Sequence, residues 1–349
     1  TVFEKLPVAG GMMAVGIPSY RLPKDVLRHE IKSVTDLGVK IELGIRVGTD
    51  ISLKTLIETC DAVYVAVGAH VEQKLGIPGE DSKGVMSAIG FLRDVALGKK
   101  VKIGRRVAVI GGGNSAIDAA RTALRTGAAE AHIVYRRLMA DMPAEKSEIE
   151  AAMDEGVKFH FLAAPASIAE ADGKLALSCE EMRLGEFDKS GRRRPKATGG
   201  SFVLHVDSIF AAIGQSPDRA FADGLPELAM TSSGIVLSDP VTGETNIDGL
   251  YAGGDCATGP WTVVGAIGSG RNAAKAIDRR LGGSWHLNAD APVERKLIGE
   301  VIEEPTPRAV MPELPAFERA QCFSEVELGF TLDDAIREAA RCFQCDVKE

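Results

Sequence analysis

Six consecutive residues, Gly111-Gly112-Gly113-Asn114-Ser115-Ala116, carry the densest chemical signal in this chain. They follow the apolar run Val107-Ala108-Val109-Ile110 and lead into a helix-like stretch from Ile117 to Thr126. Strand, G-x-G-x-x-A and helix in that order form a dinucleotide-binding turn. Gly111 allows the tight turn, Gly113 lets a pyrophosphate approach the backbone, and Ala116 lets the helix pack close to the strand. Asn114 and Ser115 lead into the helix, whose N-terminus offers unpaired N–H groups and a partial positive charge to phosphate. The next apolar run, Ala131 to Tyr135, ends on Arg136-Arg137. A carboxylate at that strand tip would repel a 2′-phosphate, whereas guanidinium groups pair with it. The unit therefore reads as a site for NADPH.

A second unit opens the chain. Thr1-Val2-Phe3-Glu4-Lys5 reads as the end of a second strand, with Glu4 at the tip where an acid binds adenosine ribose hydroxyls. Such an acid normally follows a G-x-G-x-x-G loop by about twenty residues. This reading expects an N-terminally truncated chain, with the first strand, phosphate loop and helix lying before residue 1.

A third signal runs from Thr245 through Gly253-Gly254-Asp255 to Trp261-Thr262-Val263-Val264 and Gly270-Arg271-Asn272. It resembles the second flavin motif of flavoproteins with two dinucleotide domains. That likeness implies Gly254, Asp255 and the backbone of Thr262, Val263 and Val264 as FAD contacts, with a helix N-terminus favouring the charge of reduced flavin. Two apolar runs ending in glycine, Ala62 to Gly68 and Ser208 to Gly214, bracket the NADP(H) unit. They place Gly68 at the carboxyl edge of a sheet, where ligands sit in doubly wound folds. The fold expected is α/β, with two Rossmann-like dinucleotide-binding domains and the NADP(H) domain inserted into the FAD domain. The expected boundaries are 1–75 and 215–283 for the two parts of the FAD domain, 76–214 for the NADP(H) domain, and 284–349 for a C-terminal extension.

Gly10-Gly11-Met12, Gly16-Ile17-Pro18-Ser19-Tyr20-Arg21-Leu22-Pro23, the Gly111 loop running on to Asp118, and Tyr135-Arg136-Arg137 with Met142-Pro143-Ala144 occur together. In this the chain resembles the small (beta) subunit of NADPH-dependent glutamate synthase and the flavin half of dihydropyrimidine dehydrogenase, over residues 1–283. The resemblance implies that FAD takes a hydride from NADPH and passes single electrons to iron–sulfur clusters. It also implies that Gly11 and Arg21 line the FAD site beside Glu4. The family's cysteine-rich domain before the FAD unit is not seen. Instead a helix-like run from Thr331 to Arg341 leads into Cys342-Phe343-Gln344-Cys345, which looks like the opening of the family's iron–sulfur segment moved to the other end.

Cys342 and Cys345 have the spacing to ligate an iron–sulfur cluster or zinc, but two thiolates do not complete a four-ligand site. Cluster, zinc and no metal all stay open, with Cys322 as a third ligand in the first two cases. Cys60, Cys179 and Cys256 read as packing residues. The six histidines form no ligand pattern. Glu145, in the helix-like segment Ala144 to Ala152, is a nucleotide-side contact by the resemblance and reads equally as a surface helix acid. Residues 284–330, with Pro305, Pro307, Pro312 and Pro315, read as an extended arm.

The net charge of −8 argues against nucleic acid as a partner. No apolar run reaches the roughly eighteen residues of a membrane helix. A cytoplasmic enzyme is expected, with an electron-accepting partner subunit or iron–sulfur protein. The alternatives are an NADPH-dependent reductase of a quinone, ferredoxin or metal ion, and a non-catalytic scaffold subunit of the same fold.

Overall fold

The computed structural model of the protein describes residues 1–171, 173–187, 191–285 and 307–342. The first stretch holds β1 (Val2–Glu4), α1 (Gly11–Val15), α2 (Lys24–Thr35), β2 (Ile41–Leu43), α3 (Leu53–Thr59) and β3 (Val63–Val65). A short strand, β4 (Val71–Glu72), carries the chain into β5 (Val85–Ser87), α4 (Ala88–Ala96), β6 (Arg106–Ile110), α5 (Asn114–Arg125), β7 (Glu130–Tyr135), α6 (Lys146–Asp154) and β8 (Lys158–Phe161). Three long strands follow, β9 (Ala163–Ala171), β10 (Lys174–Phe187) and β11 (Arg193–Val206), and then β12 (Ser208–Ala211). β13 (Gln215–Ser216) leads back to β14 (Leu250–Ala252), α7 (Asp255–Thr258) and α8 (Val263–Arg280). The remaining helices among the described residues are α9 (Ala316–Arg319) and α10 (Leu332–Ala339).

Continuous apolar runs form a parallel sheet buried on both faces. Its order is β5-β12-β6-β7-β8, and every neighbouring pair is parallel. Val107, Ala108 and Val109 on β6 are wholly buried. One face packs on α4, α5 and α6, where Ala116, Ala119, Ala120 and Ala123 bring α5 close to the strands. The other face packs on the antiparallel sheet β11-β10-β9 through Ile168, Leu175, Leu177 and Val206. The strands of that second sheet carry a looser alternation and irregularities after Ser178, Glu180 and Leu184.

The rest of the chain forms two two-stranded parallel sheets, β1 with β2 and β3 with β14. A third core, around Leu53, Phe221, Leu225 and Leu250, lies beneath them. The passages between the two regions run side by side. β4 and β13 pair antiparallel, Glu72 opposite Gln215 and Val71 opposite Ser216, and Gln73 N–H donates to Gly214 C=O at 2.9 Å.

Glu155 joins these parts from behind. Its carboxylate is fully buried and takes Arg121 and Arg125 at 2.6 Å each, with Arg319 at 3.3 Å. Arg125 also lies 3.8 Å from the Tyr20 ring centroid and donates to the Cys322 carbonyl. Residues 307–330 are therefore not a loose extended arm. Leu314 and Leu328 N–H groups bond across to Val326 and Pro312 carbonyls, Val326 N–H donates to Tyr20 C=O, and Arg319 is 4% exposed. Two buried guanidinium groups and an aromatic ring outweigh the turn-rich composition.

Other expectations need adjustment. The run from Thr245 forms a strand only over β14, because Thr245 and Glu244 make isolated bridges instead. The C-terminal helix covers Leu332–Ala339, with Thr331 and Asp334 closing a capping box. Cys179 and Cys256 are buried packing residues, whereas Cys60 is exposed.

Glu72 yields a prediction. Its Oε2 accepts from Ser87 Oγ and from Ile89 N–H, and Oε1 is buried without a partner. Burial pushes the carboxyl from its ordinary 4.5 up to about 7, against the opposing hydrogen bonds. Between those values the folded state binds more protons than the unfolded chain, so stability falls as pH rises from about 4.5 to about 7. Glu72→Gln should flatten that decline and be more stable than the parent at pH 8 by about 1–3 kcal/mol. Urea unfolding across that pH range checks this; parallel profiles for the two proteins would count against it.

Candidate nucleotide-binding sites

The first candidate site lies where β6 meets α5. Gly111 has φ +149°, and a Cβ there would stand 2.2 Å from the Ala212 carbonyl oxygen at the end of β12. Gly113 adopts φ −91°, which any residue tolerates, yet a Cβ there would meet only Pro143 Cγ at 3.9 Å. The open space above Gly113 is a cradle that a side chain would fill. No side chain caps α5; Ala116 and Ile117 N–H groups bond back to the Gly113 carbonyl, which leaves those of Asn114 and Ser115 at the helix start for a ligand in that space. Asn114 Oδ1 accepts instead from Glu145 N–H at 3.1 Å, and Ser115 Oγ takes the Gln215 amide at 3.3 Å. Ala116 is wholly buried against the strand. Glu145 bonds through its backbone, and its side chain is exposed. The donor set and the cradle fit a pyrophosphate.

The two arginines after β7 are not equivalent. Arg136 is exposed, whereas Arg137 is 6% exposed and donates through Nε to the Arg193 carbonyl at 2.9 Å. Both lie in the bend just past the end of β7, where the first guanidinium faces out and the second turns in to that carbonyl.

The second candidate site is a cavity of about 510 Å³ between the two small sheets. Among the described residues β1 has a ladder only with β2, and β3 only with β14, so both present unpaired edges to it. Glu4 and Gly11 line the cavity, and Glu4 Oε1 accepts from Leu6 N–H at 2.8 Å. His70 lines it too, close to Gly68. Its Nδ1 is buried without a partner, and burial, helped by Lys5 and Arg93, lowers its pKa to about 4. A neutral imidazole at the wall fits a ligand able to hydrogen-bond.

Beyond β14, Gly254 (φ +64°) donates to Ser269 Oγ at 3.2 Å, and Asp255 Oδ1 accepts from Trp261 N–H at 3.2 Å. Burial raises the Asp255 pKa. Thr262 caps the eighteen-residue helix α8 through Gly265 N–H. Trp261 and Val264, 70% and 80% exposed, leave an apolar face at that helix start, beside Val263.

The structure thus gathers Glu4, Gly11 and the Gly68 turn at one place, Gly254, Asp255 and Thr262 to Val264 at a second, and the Gly111 loop with Arg136 at a third. Arg21 stands apart from all three. Both Nη1 contacts to the Asp118 carboxylate are 2.9 Å, and Nε reaches Glu148 at 2.8 Å, so it ties its loop to α5 and α6. Sequence reasoning missed this tie and Gln215, whose one signal is its place just past a glycine-ended apolar run. Cys342 is exposed, and Cys345 lies outside the described residues. Among the described residues no group of three or more His, Cys, Asp or Glu side chains could hold a metal ion.

The family model for pyridine nucleotide-disulphide oxidoreductases matches residues 7–270. The chain is 42% identical, over an alignment of 360 positions that takes in 99% of its length, to the NADP(+)-dependent formate dehydrogenase subunit beta of Moorella thermoacetica, covering 51% of that protein. It is 34% identical, over an alignment of 308 positions that takes in 84% of its length, to the glutamate synthase [NADPH] small chain of Azospirillum brasilense, covering 63% of that protein. Mycobacterium tuberculosis FprA in complex with NADPH superposes with a TM-score of 0.66 at 22% identity, over 80% of this chain and 76% of that one. The chain spans about half the length of the formate dehydrogenase subunit it matches.

The two glycines of the first site should separate folding from binding. Gly113→Ala should unfold within about 0.5 kcal/mol of the parent, as a substitution into open space, yet lose at least about tenfold in NADP+ affinity. Gly111→Ala should be destabilised by about 2 kcal/mol or more, from backbone strain and the Ala212 contact. Urea unfolding and calorimetric titration with NADP+ read the two quantities, and equal behaviour of the two variants would refute the assignment.

Proposed function

This chain belongs to the pyridine nucleotide-disulphide oxidoreductase family, and on that premise we propose that it is an NADPH-dependent flavin oxidoreductase. In this reading electrons pass from NADPH through FAD to an iron–sulfur centre or partner subunit. The observation that carries the reading is the unit β6, Gly-loop, α5, β7 and exposed Arg136, flanked by the β4–β13 crossing. Residues 76–214 then form the NADP(H) domain. Residues 1–75 and 215–283 form the FAD domain, and 284–349 an extension ending at Cys342 and Cys345.

Bound FAD supplies a hydride acceptor that can give up electrons singly. The residues of the chain bind and orient. The N-terminus of α5 and the cradle at Gly113 take the NADPH pyrophosphate, and Arg136 takes the 2′-phosphate. Arg137, turned inward, holds the strand tip that presents Arg136. Glu4 accepts from ribose hydroxyls of FAD. Gly254 and Asp255 lie at its phosphate and ribityl region, and the start of α8 favours negative charge on its ring. Trp261 and Val264 exclude water beside it. No acid or base is required, because hydride transfer depends on stacking and distance.

The relatives named as a subunit beta and a small chain support a partner for this chain as well. No helix among the described residues is long and apolar enough to cross a membrane. The same reading places the chain in the cytoplasm, a reducing compartment where cysteines stay as thiols.

The full chain incubated with FAD and then NADPH under anaerobic conditions should lose its yellow flavin absorbance. Bleaching by dithionite but not by NADPH would overturn the reading. Arg136→Ala should raise the Michaelis constant for NADPH roughly tenfold to a hundredfold, the worth of one charge-assisted bond to phosphate, and leave NADH nearly unchanged. Equal losses with both nucleotides would remove Arg136 from the 2′-phosphate.

A further inference from the structure

We infer that Gln215 is a positioning residue for the pyrophosphate of NADP(H), acting through the Ser115 hydroxyl; the inference rests on the NADPH assignment above. Three contacts stitch the end of β12 and the start of β13 to the phosphate loop. Ala212 N–H donates to the Ile110 carbonyl at 2.8 Å. The bare Cα of Gly111 lies against the Ala212 carbonyl, where a Cβ would approach to 2.2 Å. Gln215 Nε2 donates to Ser115 Oγ at 3.3 Å, the two residues being half-buried and a hundred positions apart in sequence.

The direction of the last bond decides its use. An amide nitrogen only donates, so the Ser115 oxygen is the acceptor and its own proton is left to point elsewhere. Ser115 lies in the uncapped first turn of α5, beside the open cradle of Gly113. The freed O–H then donates to an anion bound there, and the amide bond polarises it further. Gln215 is itself held by its backbone, paired with Glu72 across the two passages, while Gly214 C=O accepts from Gln73 N–H. The side chain is thus presented from the crossing, not from the loop it serves. This couples the orientation of the phosphate donor to the seam between the two regions.

The substitutions separate shape from hydrogen bonding. Gln215→Leu keeps the bulk and removes the donor. Gln215→Glu keeps the length but accepts the Ser115 proton, turns the hydroxyl oxygen toward the phosphate and adds a negative charge. The full chain is titrated with NADP+ by calorimetry, without need of flavin or turnover. Gln215→Leu should weaken binding roughly three- to tenfold, as expected for one lost hydrogen bond. Gln215→Glu should weaken it more. Ser115→Ala should match Gln215→Leu, and the double variant should be no weaker than either single one, because both act through one hydroxyl. At saturating NADPH kcat should stay within about twofold while KM rises.

Parent-like binding by Gln215→Leu, additive losses in the double variant, or a fall in kcat with KM unchanged would each overturn the inference. If the parent itself fails to bind NADP+, the NADPH assignment falls and the role of Gln215 falls with it.

Discussion

The carboxylate of Glu155 is the constraint on which the rest is hung. Its two oxygens are shared by Arg121, Arg125 and Arg319, all at most 9% exposed. A buried carboxylate is expensive unless its lone pairs are filled, and removing one partner of such a cluster costs about 3–5 kcal/mol. The arginines hold Glu155 well ionised, lowering its pKa despite burial. Around this one group converge α5, the end of α6, and the segment from Glu313 to Val326.

That convergence gives α5 two working faces. Its N-terminus forms the uncapped phosphate cradle. Its far end holds Tyr20 under Arg125, and one turn past the cradle Asp118 holds Arg21. Asp118 is buried enough that its pKa rises to about 6 in spite of Arg21. The loop Gly16 to Pro23 is thereby tied to the helix that carries the nucleotide turn. A ligand on the β1 side and one on the β6 side would meet across a joint stiffened from behind by ion pairs and from the front by the β4–β13 crossing. For hydride transfer, where geometry supplies most of the rate, a stiff joint is an asset.

The two halves are otherwise unequal. The five-stranded sheet is complete, covered on both faces and rich in wholly buried side chains. The two small sheets expose unpaired edges to a cavity of about 510 Å³. An unpaired edge leaves peptide groups seeking partners. The flavin site proposed there therefore rests on fewer groups of this chain than the nucleotide site does.

The nucleotide turn was legible in the sequence because its cause is local. Glycines at fixed spacing, an apolar run before them and a helical pattern after them dictate the strand, turn and helix with little help from elsewhere. The same holds for the helix-like run after Thr331 and for the apolar strands β3, β7 and β12. What tertiary structure decided lies between residues far apart in the chain. The identical neighbours Arg136 and Arg137 part company because the second meets a carbonyl fifty-six positions away. Arg21 pairs with Asp118 and Glu148, the segment from residue 307 to 330 is held by Arg319, and Gln215 reaches Ser115. Each turns on a partner's charge or hydrogen-bonding capacity in a buried place. There an unpaired polar group costs more than local propensity is worth, and only the folded chain brings the partners together.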